Sequence, residues 1–258
     1  MDFLTVLYYN VFSKISISIA DFVSKESRCS ELQKAIAIDG PSGAGKSTVA
    51  QIVARKLGFR YIDTGAMYRA CTLKALRLHL DVNDEAAVSA VADEVEIRLA
   101  EENGLPFIFL DGENVSKAIR DTDVTENVSA VCRYAAVRNA MVRLQRNMAE
   151  EGGVVMDGRD IGTFVLPEAL LKVFLTADVK ERGHRRYLEW REKGIGGNMT
   201  EEDVIADLIR RDEIDSTREL NPLRQAEDAL LLDSTGFTIE ETVEKIIALW
   251  EEKTSDVL

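Results

Sequence analysis

One run of eight residues constrains the fold of this chain more than any other feature. Residues 40–47 read Gly-Pro-Ser-Gly-Ala-Gly-Lys-Ser and fit the pattern G-x-x-x-x-G-K-[ST]. A short apolar run precedes them, and a stretch of helical composition follows at 48–57. A strand, a glycine loop and a helix in this order form a phosphate cradle, because backbone N–H groups and the positive end of the helix converge on phosphate oxygens. The sequence therefore predicts a nucleotide-binding loop.

The residue types of the loop predict how ATP and Mg²⁺ are held. Lys46 supplies a point charge, and the hydroxyl of Ser47 is suited to ligate magnesium. A second apolar run ends in Asp157, which we assign to the magnesium shell, acting through water. Asp39, directly before the loop, is a weaker candidate for that shell. The residues predicted to bind ATP in this segment are Gly40, Pro41, Ser42, Gly43, Ala44, Gly45, Lys46, Ser47 and Thr48.

Short β-branched runs alternate with longer helical ones after residue 34, which favours a parallel sheet wrapped by helices. Five runs are predicted as strands: 35–39, 59–63, 153–157, 171–175 and 229–233. Between 81 and 125 the rhythm changes to period two with an Asn-Gly turn, which indicates a small β-rich insertion. The predicted fold class is α/β, a three-layer P-loop NTPase-type fold with a five-stranded parallel sheet, this insertion and a helical lid.

Composition excludes several classes of partner. The chain has 258 residues, of which 46% are hydrophobic, so it can bury a core of sufficient size without disulfide bonds. A formal charge of −13 argues against binding to nucleic acid polymers or anionic membranes, which are held by positive charge. Three widely spaced cysteines fit a reducing compartment, and we expect a cytoplasmic monomer.

Residues 1–34 match neither a membrane span nor a secretory signal. An organellar address, a regulatory extension and a misplaced start codon remain open for them, and we favour the last two.

A basic segment at about 178–210 is predicted to form the lid. Arg182, Arg185 and Arg186 are spaced i, i+3 and i+4, which places three guanidinium groups on one helical face that can close on transferring phosphates. We assign Arg182 and Arg186 to catalysis and Arg185 to ATP. The guanine-reading string N-K-x-D is absent from the sequence, which argues against a GTPase switch, whereas a motor or transporter ATPase remains open. A lid that excludes water favours phosphoryl transfer to a small acceptor.

Four motifs in order resemble the bacterial cytidylate kinases. They are residues 38–47, Asp-Thr-Gly-Ala-Met-Tyr-Arg at 63–69, Asp-Gly-Arg-Asp-Ile-Gly at 157–162, and Arg-Asp-Glu-Ile-Asp-Ser-Thr-Arg at 211–218. The resemblance implies ATP-dependent phosphorylation of CMP and dCMP. It also implies a kinase domain at 35–258, with a core at 35–80 and 126–258 and the insertion at 81–125 on the acceptor side. Another small acceptor, such as UMP, AMP or a shikimate-like compound, and a nucleotide-dependent switch remain alternatives.

The same resemblance assigns the acceptor site. The implied acceptor-binding residues are Thr64, Arg69, Ser129, Arg138, Arg159, Asp160, Arg211, Asp215 and Arg218. Among them, Ser129, Arg138 and Asp160 resemble the residues that read the base. Cytosine presents an amino donor beside two acceptors, so a carboxylate and a guanidinium make a complementary edge. Arg159 is implied to grip the acceptor phosphate and, with Lys46, to act in catalysis.

Overall fold

The computed structural model describes residues 34–102, 104–194 and 196–255, without the side chain of Lys193. The predicted extension at 1–34 therefore lies outside the described residues, except for the exposed Lys34. Within these ranges, no helix has both the length and the apolar character that crossing a membrane requires.

A five-stranded parallel sheet forms the centre of the molecule. Its strands, in spatial order, are β2, β6, β1, β7 and β8. Their bounds are Arg60–Asp63 for β2, Val154–Gly158 for β6, Ala35–Asp39 for β1, Leu171–Thr176 for β7 and Leu230–Asp233 for β8. All five predicted strands are confirmed to within one residue at their starts. In the central pair, β1 and β6 run in register, with Asp39 opposite Gly158 at their carboxyl ends.

Helices cover both faces of the sheet, which confirms the three-layer prediction. Side chains alternate along β1, so that Ile36 and Ile38 pack on one face while Ala35 and Ala37 pack on the other. The first face is covered by α1 (Lys46–Leu57) and α8 (Ile239–Ser255). The second is covered by α2 (Thr64–Arg77), α3 (Glu85–Glu94), α4 (Thr122–Val131) and α5 (Ala135–Ala149). The phosphate loop thus follows the middle strand of a sheet that is covered by helices on both faces.

The segment at 81–125 contains a small antiparallel sheet of three strands, as the sequence predicts. These are β3 (Ile97–Glu102), β4 (Leu105–Leu110) and β5 (Glu113–Asn114). The segment also contains the helix α3, which the sequence analysis missed. Asp84 caps this helix by accepting a hydrogen bond from the N–H of Ala87 at 3.1 Å. Apolar side chains of this segment belong to the same core cluster as those of α2, so the segment packs continuously against the main body.

The lid segment folds as two packed helices, α6 (Val179–Lys193) and α7 (Glu201–Thr217). Gly183 permits their close approach, since a Cβ atom there would lie 2.2 Å from Cγ1 of Ile205. Thr200 and Asp203 form a reciprocal capping box at the start of α7. The segment predicted as the lid is therefore a pair of packed helices, and Arg182 on its basic face contacts the phosphate loop.

Candidate active site

One cavity of about 910 Å³ lies at the carboxyl ends of the central strands. Residues 42–48 of the phosphate loop line one part of it, and most of the predicted acceptor-binding side chains line another. The sequence-predicted residues that meet there outside the loop are Thr64, Arg69, Ser129, Arg138, Asp157, Arg159, Asp160, Arg185, Arg186, Arg211, Asp215 and Arg218. Residues separated by up to 176 positions thus share one space, which is large enough for two nucleotides.

The phosphate loop is shaped by its contacts with the sheet beneath it. Gly40 lies so close to β7 that a Cβ atom would be 2.0 Å from the carbonyl oxygen of Leu175. Lys46 is buried at the base of the loop, and its Nζ donates a hydrogen bond to the carbonyl oxygen of Pro41 at 2.7 Å. Burial, followed by the charge of Arg159, lowers the pKa of Lys46 to about 7. A phosphate oxygen beside Nζ would offset both penalties.

Ser47 and Asp157 lie side by side at the edge of the loop. Oγ of Ser47 donates a hydrogen bond to one Asp157 oxygen at 2.8 Å, and the hydroxyl of Tyr61 donates to the other at 2.8 Å. Burial, followed by the charge of Asp63, raises the pKa of Asp157 to about 6. A hydroxyl and a carboxylate in contact fit the oxygen preference of Mg²⁺. Among the described residues, no group of three or more His, Cys, Asp or Glu could hold a metal ion.

Asp160 is the centre of a buried polar group on the acceptor side. One of its oxygens accepts a hydrogen bond from Nη2 of Arg138 at 2.5 Å, and the other lies 3.7 Å from Nη2 of Arg218. Nε of Arg138 and the hydroxyl of Tyr68 are also buried here, and neither has a hydrogen-bond partner among the residues that the structure describes. Buried polar atoms are normally paired, so these two point to a polar ligand in the adjacent cavity.

Four arginines crowd the space between the two parts of the cavity. Burial, followed by the charge of Arg211, lowers the pKa of Arg186 to about 10. The charges of Arg159 and Arg69 act in the same direction, and that of Glu189 opposes them. Burial and then the charge of Arg211 also lower the pKa of Arg69. Like charges gathered in a partly desolvated space repel one another, and an anion placed among them relieves that repulsion. This cluster has the electrostatic character of a phosphate site.

Hydrogen bonds from neighbouring elements orient these arginines. Nε of Arg159 donates to Oδ2 of Asp215 at 2.7 Å, and the charge of that carboxylate raises the pKa of Arg159 against the effect of burial. Nη1 of Arg69 donates to Oγ1 of Thr125 at 2.8 Å, while Nη2 of Arg211 donates to the backbone carbonyl of the same residue at 3.2 Å. The start of α4 therefore links an arginine of the core to an arginine of the lid.

Arg182 differs from the other two lid arginines in where it lies. Arg185 and Arg186 line the cavity, but Arg182 is buried beneath the loop and does not form part of the cavity wall. Its guanidinium donates to the carbonyl oxygens of Ala177 and Ser42, and to Asp212 at 2.7 Å. The other oxygen of Asp212 accepts the N–H of Ser42 at 3.0 Å. The three arginines share one side of α6 but do not share one site, and Arg182 is placed to hold the loop against the lid helices.

Three other predicted residues also lie outside the cavity wall. Gly40 and Pro41 contact the sheet and Lys46 from below, as described above. Asp39, the weaker candidate for the magnesium shell, directs both oxygens to the backbone N–H groups of Ile161 and Gly162. Both oxygens of its carboxylate are therefore engaged by main-chain N–H groups.

The contacts of Arg182 predict a loss of both stability and activity in Arg182→Ala. Removing one partner of a largely buried ion pair leaves Asp212 uncompensated, which should lower the free energy of unfolding by about 3 kcal/mol. We also expect kcat to fall far more than the affinity for the acceptor, because the loop carries the transferring phosphate. Urea denaturation and steady-state kinetics measure the two effects. Arg210→Ala is the matched control, since Arg210 pairs with Asp207 on the lid surface and should lose less than about 1 kcal/mol. An unchanged kcat in Arg182→Ala would contradict this role.

Sequence reasoning missed three residues of the site: Tyr61, Tyr68 and Asp212. Tyr61 and Asp63 are two positions apart on β2 and therefore lie on the same face of the strand, and both line the cavity. The period-two pattern of a strand could have predicted this for Tyr61. Tyr68 lies inside the motif at 63–69, but no local signal distinguishes its hydroxyl from that of a packing tyrosine. The role of Asp212 depends on its contact with Ser42 of the loop, which lies 170 positions away in the chain, and was not available from the sequence.

The chain is similar in sequence to known proteins over most of its length. The sequence profile of the family described as "Cytidylate kinase" matches residues 36–252. A protein named cytidylate kinase from Bacillus cereus (strain ATCC 10987 / NRS 248) is 49% identical over 214 residues, covering 83% of this chain and 94% of its own. A protein of the same name from Bacillus thuringiensis (strain Al Hakam) is equally similar over the same lengths. Among solved structures, shikimate kinase from Bacteroides thetaiotaomicron superposes with a TM-score of 0.43 at 17% identity, covering 84% of this chain and 98% of its own.

The family profile covers both parts of the cavity, from the strand before the phosphate loop to the last helix. The relatives cover it at nearly their full length, so the match is not limited to the nucleotide-binding loop that many enzymes share. The chain belongs to the cytidylate kinase family.

Proposed function

We propose that this protein transfers the γ-phosphoryl group of ATP to CMP and dCMP, with Mg²⁺ as the ion that accompanies ATP. The single observation that carries the proposal is the shared cavity. It joins the glycine loop of a donor site to a second pocket in which a buried carboxylate is flanked by arginines. The family membership and the similarity to proteins named cytidylate kinase support the choice of acceptor. The proposal includes action as a monomer in the cytoplasm.

In the proposed reaction, the acceptor phosphate attacks the γ-phosphorus in line, and no covalent enzyme intermediate forms. The attacking oxygen is already anionic, so the protein has no need of a general base. Lys46, Arg159 and Arg186 stabilise the charge that develops on the transferring group. Ser47 and Asp157 would hold Mg²⁺, which when bound neutralises phosphate charge. The remaining catalysis is positioning of two anions that would otherwise repel each other.

The proposed assignment of Asp160 to base reading explains the preference for cytosine. Its carboxylate would accept a hydrogen bond from the exocyclic amino group, while Arg138 and Ser129 would donate to the ring acceptors. Uracil carries a carbonyl oxygen at the amino position and would face the carboxylate with a second acceptor. An unpaired buried polar group of this kind costs about 1–3 kcal/mol, which is enough to separate CMP from UMP by about 5-fold to 150-fold.

A panel of acceptors tests the proposal directly. ADP release from ATP should be strong with CMP and dCMP, weaker with UMP, and at background with AMP and shikimate. The full chain and a version beginning near residue 33 should behave alike if residues 1–34 take no part in catalysis. Strong phosphorylation of AMP or shikimate, with none of CMP, would show that the protein is a kinase of another acceptor. Slow ATP hydrolysis that no acceptor stimulates would instead favour a nucleotide-dependent switch.

Asp160→Asn should reduce the discrimination between CMP and UMP. An amide can donate as well as accept a hydrogen bond, so the variant tolerates the carbonyl oxygen of uracil while losing part of its attraction for the amino group. We expect the ratio of kcat/KM for CMP to that for UMP to fall by about tenfold, equivalent to 1.4 kcal/mol. Steady-state kinetics with both acceptors measure this ratio. An unaltered ratio would remove Asp160 from base reading.

A further inference from the structure

The segment that presents Arg159 and Asp160 to the cavity has an unusual local structure. β6 ends at Gly158, and a single wide helical turn, Ile161–Val165, begins two residues after Arg159. The first N–H groups of any helical turn have no partner within the turn and need a capping acceptor. Asp160 occupies the capping position, and aspartate is one of the preferred residues there. Its side chain makes no capping hydrogen bond, because its oxygens are directed towards Arg138 and Arg218.

Asp39 supplies the missing cap from the neighbouring strand. Its Oδ1 accepts the N–H of Ile161 at 2.8 Å, and its Oδ2 accepts the N–H of Gly162 at 2.7 Å. The carboxylate is only 5% exposed and is held at the end of β1, directly before the phosphate loop. Burial raises the pKa of Asp39 to about 6, so the group is ionised at neutral pH and both oxygens can accept. Two charge-assisted hydrogen bonds therefore fix the turn relative to β1.

We propose that Asp39 is a positioning residue for acceptor recognition: it caps the turn at Ile161–Val165 so that the side chain of Asp160 remains directed at the acceptor base. The inference rests on the proposed function for the identity of that acceptor. Without Asp39, the carboxylate of Asp160, which occupies the capping position of the turn, would be free to accept these N–H groups instead. Satisfying them would draw Asp160 away from Arg138 and from the cavity, since one carboxylate cannot serve both directions.

This role differs from a general contribution to stability in what it predicts for the two substrates. The cap acts on the segment at 158–165, of which residues 158–160 line the cavity, whereas the loop at 42–48 is held by Arg182 and Asp212. Loss of the cap should therefore weaken selection of the acceptor and leave ATP recognition largely intact. A residue that only stabilised the fold would affect both substrates in the same proportion.

The experiment compares Asp39→Ala and Asp39→Asn with the wild type. For Asp39→Ala we expect KM for CMP to rise by about tenfold or more, KM for ATP to change by less than about threefold, and the CMP/UMP preference to fall by about tenfold. Asp39→Asn keeps the shape and one accepting oxygen, but its amide group confronts the second N–H, so the same changes should be smaller. Asp84→Asn is the control, since Asp84 caps α3 outside the cavity and its loss should leave all three quantities unchanged.

A spectroscopic measurement separates this inference from the proposed function. In NMR spectra, the amide protons of Ile161 and Gly162 should both exchange slowly with solvent in the wild type, whatever the acceptor is. In Asp39→Asn, the one that faces the amide group of the new side chain should exchange rapidly. If the wild type does not phosphorylate CMP, the proposed function fails while the amide result still tests the cap. If both variants retain the CMP/UMP preference, or lose CMP and ATP recognition equally, the positioning role is overturned. Should Asp39→Ala fail to fold, Asp39→Asn alone decides the outcome.

Discussion

Replacing Lys46 with alanine is expected to lower kcat by about 10²–10³-fold, while the affinity for CMP stays nearly unchanged. The reason is the position of Nζ, which is buried at the base of the glycine loop and held 2.7 Å from the carbonyl oxygen of Pro41. A charge fixed in a partly desolvated site stabilises a transferring phosphoryl group without any reorganisation. The acceptor pocket lies beyond this group, so the loss falls on the chemical step. Single-turnover kinetics and CMP binding by calorimetry measure the two quantities separately.

Two further variants show whether the charge of Lys46 or its packing is responsible. Lys46→Met keeps most of the apolar stem and should be as slow as Lys46→Ala. Lys56→Ala removes a lysine from the exposed end of the same helix and should retain wild-type activity. A kcat within about threefold of wild type in Lys46→Met would show that the charge is not needed, since the expected electrostatic loss is far larger.

Arg159→Ala is expected to lower kcat/KM for CMP by about 10²–10³-fold, with a smaller effect on KM for ATP. Two effects act in the same direction. The variant loses a charge-assisted contact to the acceptor phosphate, and it leaves Asp215, now without the partner that lies 2.7 Å away, as a negative charge facing an anionic substrate. Steady-state kinetics with each substrate varied in turn separate the acceptor effect from the donor effect.

A double-mutant cycle with Asp215→Asn tests the second of these effects. Neutralising Asp215 in the Arg159→Ala background should recover part of the lost kcat/KM, so the two substitutions should be non-additive. Arg143→Ala, on the exposed side of α5, is the matched control for removal of an arginine and should have little effect. Equal losses of CMP and ATP recognition in Arg159→Ala would contradict its assignment to the acceptor phosphate.

The sequence predicts the parts of this fold that depend on local pattern. Strand runs bounded by glycine and aspartate appear in the sheet within one residue of their predicted starts, because parallel strands buried on both faces are nearly continuous apolar runs. The glycine loop is equally local. The helix α3 was missed because the period-two runs led residues 81–125 to be interpreted as a β-rich insertion, although Val88, Val91 and Ala92 show the i, i+3, i+4 spacing of a helix.

The contacts that define the site are long-range, and helix or strand periodicity does not determine them. Spacing places Arg182 and Arg186 on one side of α6, but only the docking of that helix shows that Arg182 reaches the carbonyl of Ser42, 140 positions away in the chain. Asp39 is a similar case, since its acidic side chain next to a phosphate loop suggested metal binding. The structure instead joins it to N–H groups 122 and 123 positions further on.

The register of the two central strands has a consequence for how the site tolerates amino-acid replacements around it. Asp39, which precedes the donor loop, lies directly opposite Gly158, which precedes the acceptor arginine. The donor loop and the acceptor arginine therefore leave adjacent strands, about 4.8 Å apart and joined by main-chain hydrogen bonds in the middle of the sheet. Replacing a surrounding side chain leaves those main-chain bonds in place, so the position of the loop relative to Arg159 should be insensitive to most such replacements.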